Sequence, residues 1–405
     1  MTTLPTSPPA DATDDLLSFF DEPVERRGTN SYKWDSSPRQ DILPLWVADM
    51  DFRTAPPITQ ALSERVQHGI FGYTRIPERY YETIREWYLA EHHWEIPAGA
   101  ILDTTGVVPA ISAILKAMTQ PGDGILVLTP VYNCFYSSIR NLGCRLVPSP
   151  LKPDGTRYVI DFERLEEQAA DPGTRLMLLC NPHNPVGRVW TREELNRLAD
   201  LCLRHGLSVI SDEIHGELVM PGHRYTPFAS LNRELPEVIT CLSPSKAFNL
   251  AGLQIASIVT ASAELRERIN RAINIHEVCD VNPFGVIATI AAYRQGKPWL
   301  QGLLAYLAEN YRTLQRFFLT HLPQFPVYDL EGTYLAWVDC RSLGESSLDS
   351  LQENLLEQTG LWLNDGQMYG PEGRGFLRWN LACPNWRLRD ALKRFETFVQ
   401  AHVPN

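Results

Sequence analysis

The chain has 405 residues, 44% hydrophobic and 21% charged, a globular composition with more length than one ordinary core uses. Its 37 Lys and Arg face 48 Asp and Glu for a net charge of −11, which argues against a basic stripe for nucleic acid and leaves anion binding to local sites. No apolar run reaches the length of a membrane span, and eight cysteines (134, 144, 180, 202, 241, 279, 340 and 383) with no Cys-x-x-Cys pair point to reduced thiols in a cytoplasmic protein.

In chain order, residues 1–15 are rich in Pro, Thr, Ser and Asp, without the basic start and apolar core of a signal peptide, so a disordered lead-in is expected. Pro56-Pro57 suits a helix start, with the helix running to Gly69. Thr105-Gly106-Val107-Val108-Pro109 precedes a helical stretch over 110–115. A helix N-terminus there would offer the Val107 and Val108 amides to an anion. Apolar runs at 125–128, 176–180, 207–210, 238–242 and 255–259 read as buried strands. Between them, Thr191-Arg192-Glu193-Glu194 opens a helix with a hydroxyl cap, an acidic first turn, and Leu195, Leu198 and Leu201 on one stripe. Strand and helix alternating in this way predict an α/β fold with a mostly parallel, helix-covered sheet. After about residue 280 the texture changes: helical stripes at 299–322, 348–357 and 388–399 enclose apolar segments at 325–328 and 334–338, and a smaller domain is placed there.

Three strand ends carry chemistry. Cys180-Asn181-Pro182-His183-Asn184-Pro185-Val186-Gly187-Arg188 follows the run at 176–180, and its two Asn-Pro steps stop the strand and offer the Asn184 amide. The run at 207–210 leads into Ser211-Asp212-Glu213-Ile214-His215. The run at 238–242 leads into Ser243-Pro244-Ser245-Lys246-Ala247-Phe248-Asn249, one lysine among small hydroxyls. Ligands of open α/β sheets bind at the carboxyl ends of strands, so Asn184, Asp212 and Lys246 are expected to converge. A lysine able to form a Schiff base, hydroxyls for a phosphate and a carboxylate for a pyridine nitrogen are what pyridoxal phosphate requires. Asp212, Glu213 and His215 lack the further histidines or cysteines of a metal site, and no metal is expected.

The order of these motifs resembles the fold-type I pyridoxal phosphate enzymes of the class I/II aminotransferase family. The segments from Leu43 to Phe52, Phe71-Gly72-Tyr73-Thr74 and Thr129-Pro130-Val131-Tyr132 resemble its MalY/PatB-type cystathionine β-lyase branch, and Phe376-Leu377-Arg378-Trp379-Asn380 resembles its substrate-carboxylate segment. The resemblance runs from about residue 40 to about 400. It implies a seven-stranded, mostly parallel sheet in a large domain at 56–295, and a smaller α+β domain from 296–405 joined by 16–55.

For the site it implies Lys246 as the cofactor lysine and the base at Cα, Asp212 as partner of the pyridine nitrogen, and Asn184 at the phenolic oxygen and the substrate carboxylate. Tyr132 stacks on the ring, Arg378 clamps the substrate α-carboxylate, and Trp46 lines the mouth. Val107, Val108, Ser243 and Ser245 surround the phosphate, and Tyr73 reaches a neighbour's phosphate in a homodimer. His215 stands where relatives often carry a tyrosine, and Gln254 where many carry a phosphate-binding arginine. The implied reaction is β-elimination from cystathionine or another L-cysteine S-conjugate. An aminotransferase built on the same residues is the rival reading, and a regulatory protein acting through partner binding is a third.

Overall fold

The computed structural model describes residues 18–231, 234–277, 280–344 and 348–402. The lead-in at 1–15 and Cys279 lie outside them. A seven-stranded sheet forms the centre: β1 (Ile101–Thr104), β2 (Gly124–Thr129), β3 (Arg145–Pro150), β4 (Thr174–Cys180), β5 (Ser208–Asp212), β6 (Val238–Leu242) and β7 (Ala256–Val259), in the order β1-β7-β6-β5-β4-β2-β3. Only β7 runs against its neighbours, antiparallel to both β1 and β6; the remaining pairs are parallel. The carboxyl ends of six strands therefore open on one edge.

The inner strands β2, β4, β5 and β6 read as apolar runs because both of their faces are covered. Leu126, Leu128, Met177, Leu179 and Val209 pack on one face with Leu195, Leu198 and Cys202 of the helix Arg192–His205. Their sequence neighbours Ile125, Val127, Leu176, Leu178 and Ile210 pack on the other with Ile111, Ile114 and Leu115 of the helix Val107–Met118. The two-residue alternation of a strand thus divides each run between two cores. The helix Arg192–His205 starts as its residues dictate, with a reciprocal capping box between Thr191 and Glu194, and stops at Gly206 with φ 65°. The helix Pro56–His68 likewise begins on its prolines and ends at Gly69.

Downstream, β8 (Leu335–Asp339), β9 (Asn364–Asp365) and β10 (Phe376–Asn380) form a three-stranded antiparallel sheet in the order β8-β10-β9. It is accompanied by the helices Lys297–His321, Leu351–Thr359 and Asn385–His402. The N-terminal segment crosses to this region: Leu43–Pro44 pairs in parallel with Leu361–Trp362. The Asn380 side-chain amide donates to the carbonyls of Val47 and Asp49, both at 2.6 Å.

The segment then turns over the strand ends of the large sheet, anchored by Asp51. This carboxylate is buried against Lys33 Nζ (3.1 Å), Arg26 Nη1 (2.8 Å), Arg387 Nη1 (2.8 Å) and Trp34 Nε1 (2.9 Å). Although burial opposes its charge, these cations hold the carboxyl down at about 2.

Candidate active site

The ends of β2, β4, β5 and β6 deliver polar side chains to a single cavity of about 530 Å³. Asp212 is the last residue of β5, Lys246 lies four residues beyond β6, Asn184 four beyond β4, and Tyr132 three beyond β2. Val107 and Val108 open their helix from the Gly106 cap, where the first-turn amides have no partner within the helix. All of these line the cavity, with Ser245, His215, Gln254, Trp46 and Arg378.

Much of the Asn181–Arg188 motif is framework. His183 is buried with Nε2 2.9 Å from the Pro130 carbonyl oxygen, so the loops carrying Asn184 and Tyr132 are tied together. Arg188, also buried, binds Glu194 (2.7 Å) and Glu331 (2.8 Å). Gly187 has φ 71°, and a Cβ there would meet Leu330 Cδ1 at 2.9 Å, so only glycine suits this turn.

The charged groups in the cavity are poorly compensated. Asp212 is buried and accepts one backbone hydrogen bond, from Ile214 N at 3.1 Å. Burial pushes its carboxyl up to about 7, with the neighbouring Glu213 adding to the shift and Lys246 opposing it. Lys246 Nζ donates to the Ala48 carbonyl at 2.5 Å. Burial, and next the Arg378 guanidinium, bring its ammonium down to about 8. The same causes, burial first and then Lys246 and Arg378, hold His215 well below its usual range, so its ring is neutral. His215 Nδ1 has no hydrogen-bond partner among the described residues.

Arg378 sits in the middle of β10, between Trp337 and Asn364 in register. Nη1 donates to Asn184 Oδ1 (3.1 Å) and Nη2 to the Trp46 carbonyl (2.8 Å), and the guanidinium lies 5.0 Å from the Tyr369 ring centre. Its Nε is buried and has no partner among the described residues. Asn184 spends its carbonyl on this arginine and keeps its amide NH2 as a donor.

Two expected residues stand apart. Ser243 does not line the cavity: its hydroxyl lies 2.7 Å from the Ile255 carbonyl oxygen and 2.9 Å from Ser245 Oγ, and it accepts from Ser245 N at 3.1 Å. It shapes the lysine loop, and Ser245 is the hydroxyl the loop presents. Tyr73 is fully exposed (104%) and away from the cavity.

Several contributors escaped the sequence reading. The Ala48 carbonyl binds both Lys246 and the Tyr334 hydroxyl (2.9 Å). Asn249 accepts from Met50 N (3.0 Å) and donates to Met50 O (3.1 Å) and Phe52 O (2.8 Å), clasping the N-terminal segment to the lysine loop. A backbone carbonyl leaves no letter in a sequence, but Asn249, three residues after the lysine, could have been singled out.

The arrangement presents a lysine whose ammonium is lowered to about 8, a buried carboxyl able to gain or lose a proton near neutrality, and a fixed guanidinium. Among the described residues, no group of three or more His, Cys, Asp or Glu could hold a metal ion, and no helix is long and apolar enough to cross a membrane.

Comparison with known proteins agrees with this geometry. The aminotransferase class I and II family matches residues 40–395. Cystathionine beta-lyase PatB of Bacillus subtilis is 41% identical over 93% of this chain and 98% of its own length. Protein MalY of Escherichia coli is 34% identical over 94% of this chain and 99% of its own. Cystalysin from Treponema denticola, whose crystal structure contains a pyridoxal 5'-phosphate cofactor, superposes with a TM-score of 0.91 at 32% identity, covering 94% of this chain and 98% of that one. The chain belongs to the class I and II aminotransferase family, in its group of PatB- and MalY-like carbon–sulfur lyases.

Proposed function

We propose that this protein is a pyridoxal phosphate-dependent carbon–sulfur β-lyase acting on L-cystathionine or related L-cysteine S-conjugates. The observation that carries the reading is the convergence of Lys246, Asp212, Asn184 and Arg378 on one cavity, in a chain 41% identical to a cystathionine β-lyase over nearly its whole length. The cofactor fits the cavity's unmet needs. A buried carboxyl raised to about 7 is suited to a cationic ring nitrogen, an amine lowered to about 8 to an aldehyde, and a helix N-terminus beside Ser245 to a phosphate.

When bound, pyridoxal phosphate supplies the electron sink that lets a Cα–H bond ionise. Asp212 would hold a proton at the cofactor's ring nitrogen. The amide of Asn184 would donate to the phenolic oxygen, Tyr132 would offer an aromatic face, and the Val107 and Val108 amides with the Ser245 hydroxyl would receive the phosphate. Arg378, held from two sides by Asn184 and Trp46, binds the substrate α-carboxylate. Lys246 would hold the cofactor and would be the base for the proton at the substrate Cα. Loss of thiolate from Cβ and hydrolysis with one water give thiol, pyruvate and ammonia. Neutral His215, T-shaped against Tyr334 at 6.2 Å, packs beside Lys246 without adding a cation.

The same reading makes the protein a cytoplasmic homodimer. Its support is Tyr73, fully exposed beside Ile70 (66%) and Phe71 (60%), an apolar cluster suited to a second copy whose phosphate Tyr73 would reach. The seven described cysteines are all free, in keeping with a reducing compartment. Residues 56–295 form the large cofactor-binding domain in this reading, and 16–55 with 296–405 the small one.

The test is release of pyruvate and homocysteine from L-cystathionine by purified, cofactor-loaded protein without any oxo-acid. Equal amounts of both over many turnovers are expected. Turnover only after an oxo-acid acceptor is added would make the protein an aminotransferase.

A further inference from the structure

The cavity's outer wall differs in chemistry from its inner end. Its charged lining residues are Asp212, Lys246 and Arg378, and the proposed function engages all three at the reacting end. Its exposed lining residues are Tyr32, Pro109, Ala251, Gln254 and Met368, and with the half-buried Trp46 the large side chains Tyr32 and Met368 give this lining an aromatic and thioether character. Tyr32 and Met368 remain 72% and 41% exposed, a large apolar area held open at the cavity. Trp46 is fixed: its ring stacks on Trp362 at 4.5 Å and 9°, its Nε1 donates to the Lys33 carbonyl at 3.3 Å, and its own carbonyl holds the Arg378 guanidinium. Tyr32 leans on the same ring at 5.2 Å and 50°. The residue that steadies the carboxylate clamp therefore also presents a rigid aromatic face beside it.

Resting on the β-lyase reading, we propose that Tyr32, Trp46 and Met368 form a leaving-group subsite that selects apolar, aromatic thioethers of L-cysteine over cystathionine. Cystathionine's distal end carries an ammonium and a carboxylate. An aromatic face accepts the ammonium, but among the described lining residues no uncommitted cation meets the carboxylate beside it. Leaving that group unpaired against Trp46 and Met368 is unfavourable, whereas a benzyl group gains ring and thioether contacts.

The experiment compares S-benzyl-L-cysteine, S-methyl-L-cysteine and L-cystathionine on the cofactor-loaded enzyme, by thiol release and by the substrate-induced change in cofactor absorbance. S-benzyl-L-cysteine is expected to exceed cystathionine about tenfold in kcat/KM and to bind more tightly. Tyr32→Ala should cut the benzyl-to-methyl ratio about three- to tenfold, mainly through KM. Tyr32→Lys, which adds a cation, should shift the ratio towards cystathionine. Cystathionine preferred by the native enzyme, or a benzyl-to-methyl ratio unmoved by Tyr32→Ala, would overturn the subsite. Absence of thiol from all three substrates would instead overturn the lyase reading, and the binding order seen in the absorbance would still decide the subsite.

Discussion

Two buried aspartates, Asp51 and Asp212, show how differently one residue type is used within this chain. Both are almost fully inaccessible. Asp51 meets Lys33, Arg26, Arg387 and the Trp34 indole, and its carboxyl is held down at about 2. Asp212 meets one backbone N–H, and burial lifts it to about 7. The first is a completed network that pins the N-terminal segment to the helix Asn385–His402. The second is an incomplete one, and the proposed function gives it the cofactor as partner. Burial alone therefore does not mark function; burial without compensation does.

Four outcomes follow from this contrast, beginning with the largest. Lys246→Ala should lower thiol release more than about 10³-fold while leaving the folded state intact, since it removes the proposed cofactor attachment and the proposed Cα base. Circular dichroism and product assay together check it, and a retained fraction of activity above about 1% would remove Lys246 from the chemistry. Asp51→Asn should do the converse: about 3 kcal/mol of stability lost in denaturant unfolding, because buried Arg387 loses its carboxylate and Lys33 and Arg26 keep only Asp49. Because the Asp51 carboxyl is depressed, its stabilisation is present above pH 3.8 and is lost as pH falls through about 2. The penalty of the substitution should shrink over that window.

Asp212→Asn should give the opposite sign in the cofactor-free protein. A carboxyl raised from 3.8 to about 7 contributes stability that is full below pH 3.8 and is lost as pH rises through about 7. The amide does not titrate, so the variant should gain on the native chain across that window, by about 2–4 kcal/mol above pH 7. Its turnover should nevertheless fall about 10²-fold, since an amide does not keep the ring nitrogen protonated. The smallest effect concerns rate: cofactor incorporation, followed by visible absorbance, should rise about tenfold per pH unit below about 8 and level off above it, as the Lys246 amine becomes neutral. Levelling only near the ordinary lysine range would mean that the cavity does not lower Lys246.

The sheet was legible wherever strands are covered on both faces, because β2, β4, β5 and β6 then read as apolar runs. β1 (Ile-Leu-Asp-Thr) is too short to show a pattern, and β3, at the edge, carries Pro148 and Pro150. The long helix, expected over 299–322, runs over Lys297–His321. Asp212, Asn184 and Lys246 could be placed from their positions at strand ends, since topology alone brings those ends together. Arg378 and Trp46 come from remote segments, and only the family resemblance pointed to them. Ser243 was expected at the phosphate because a hydroxyl's letter does not say which neighbour it will bind; the Ile255 carbonyl, twelve residues on, takes it. The Ala48 carbonyl and the framework roles of His183 and Arg188 depend on tertiary contacts that no local pattern encodes.

The most direct test of the account is the ionisation of Asp212, read by infrared difference spectroscopy of native protein against Asp212→Asn at about pH 6, without and with pyridoxal phosphate. A protonated carboxyl is expected in the cofactor-free protein, becoming a carboxylate when the cofactor binds. A carboxylate already present without cofactor, or a carboxyl still protonated with it, would contradict the central claim that this site is an uncompensated charge awaiting its partner.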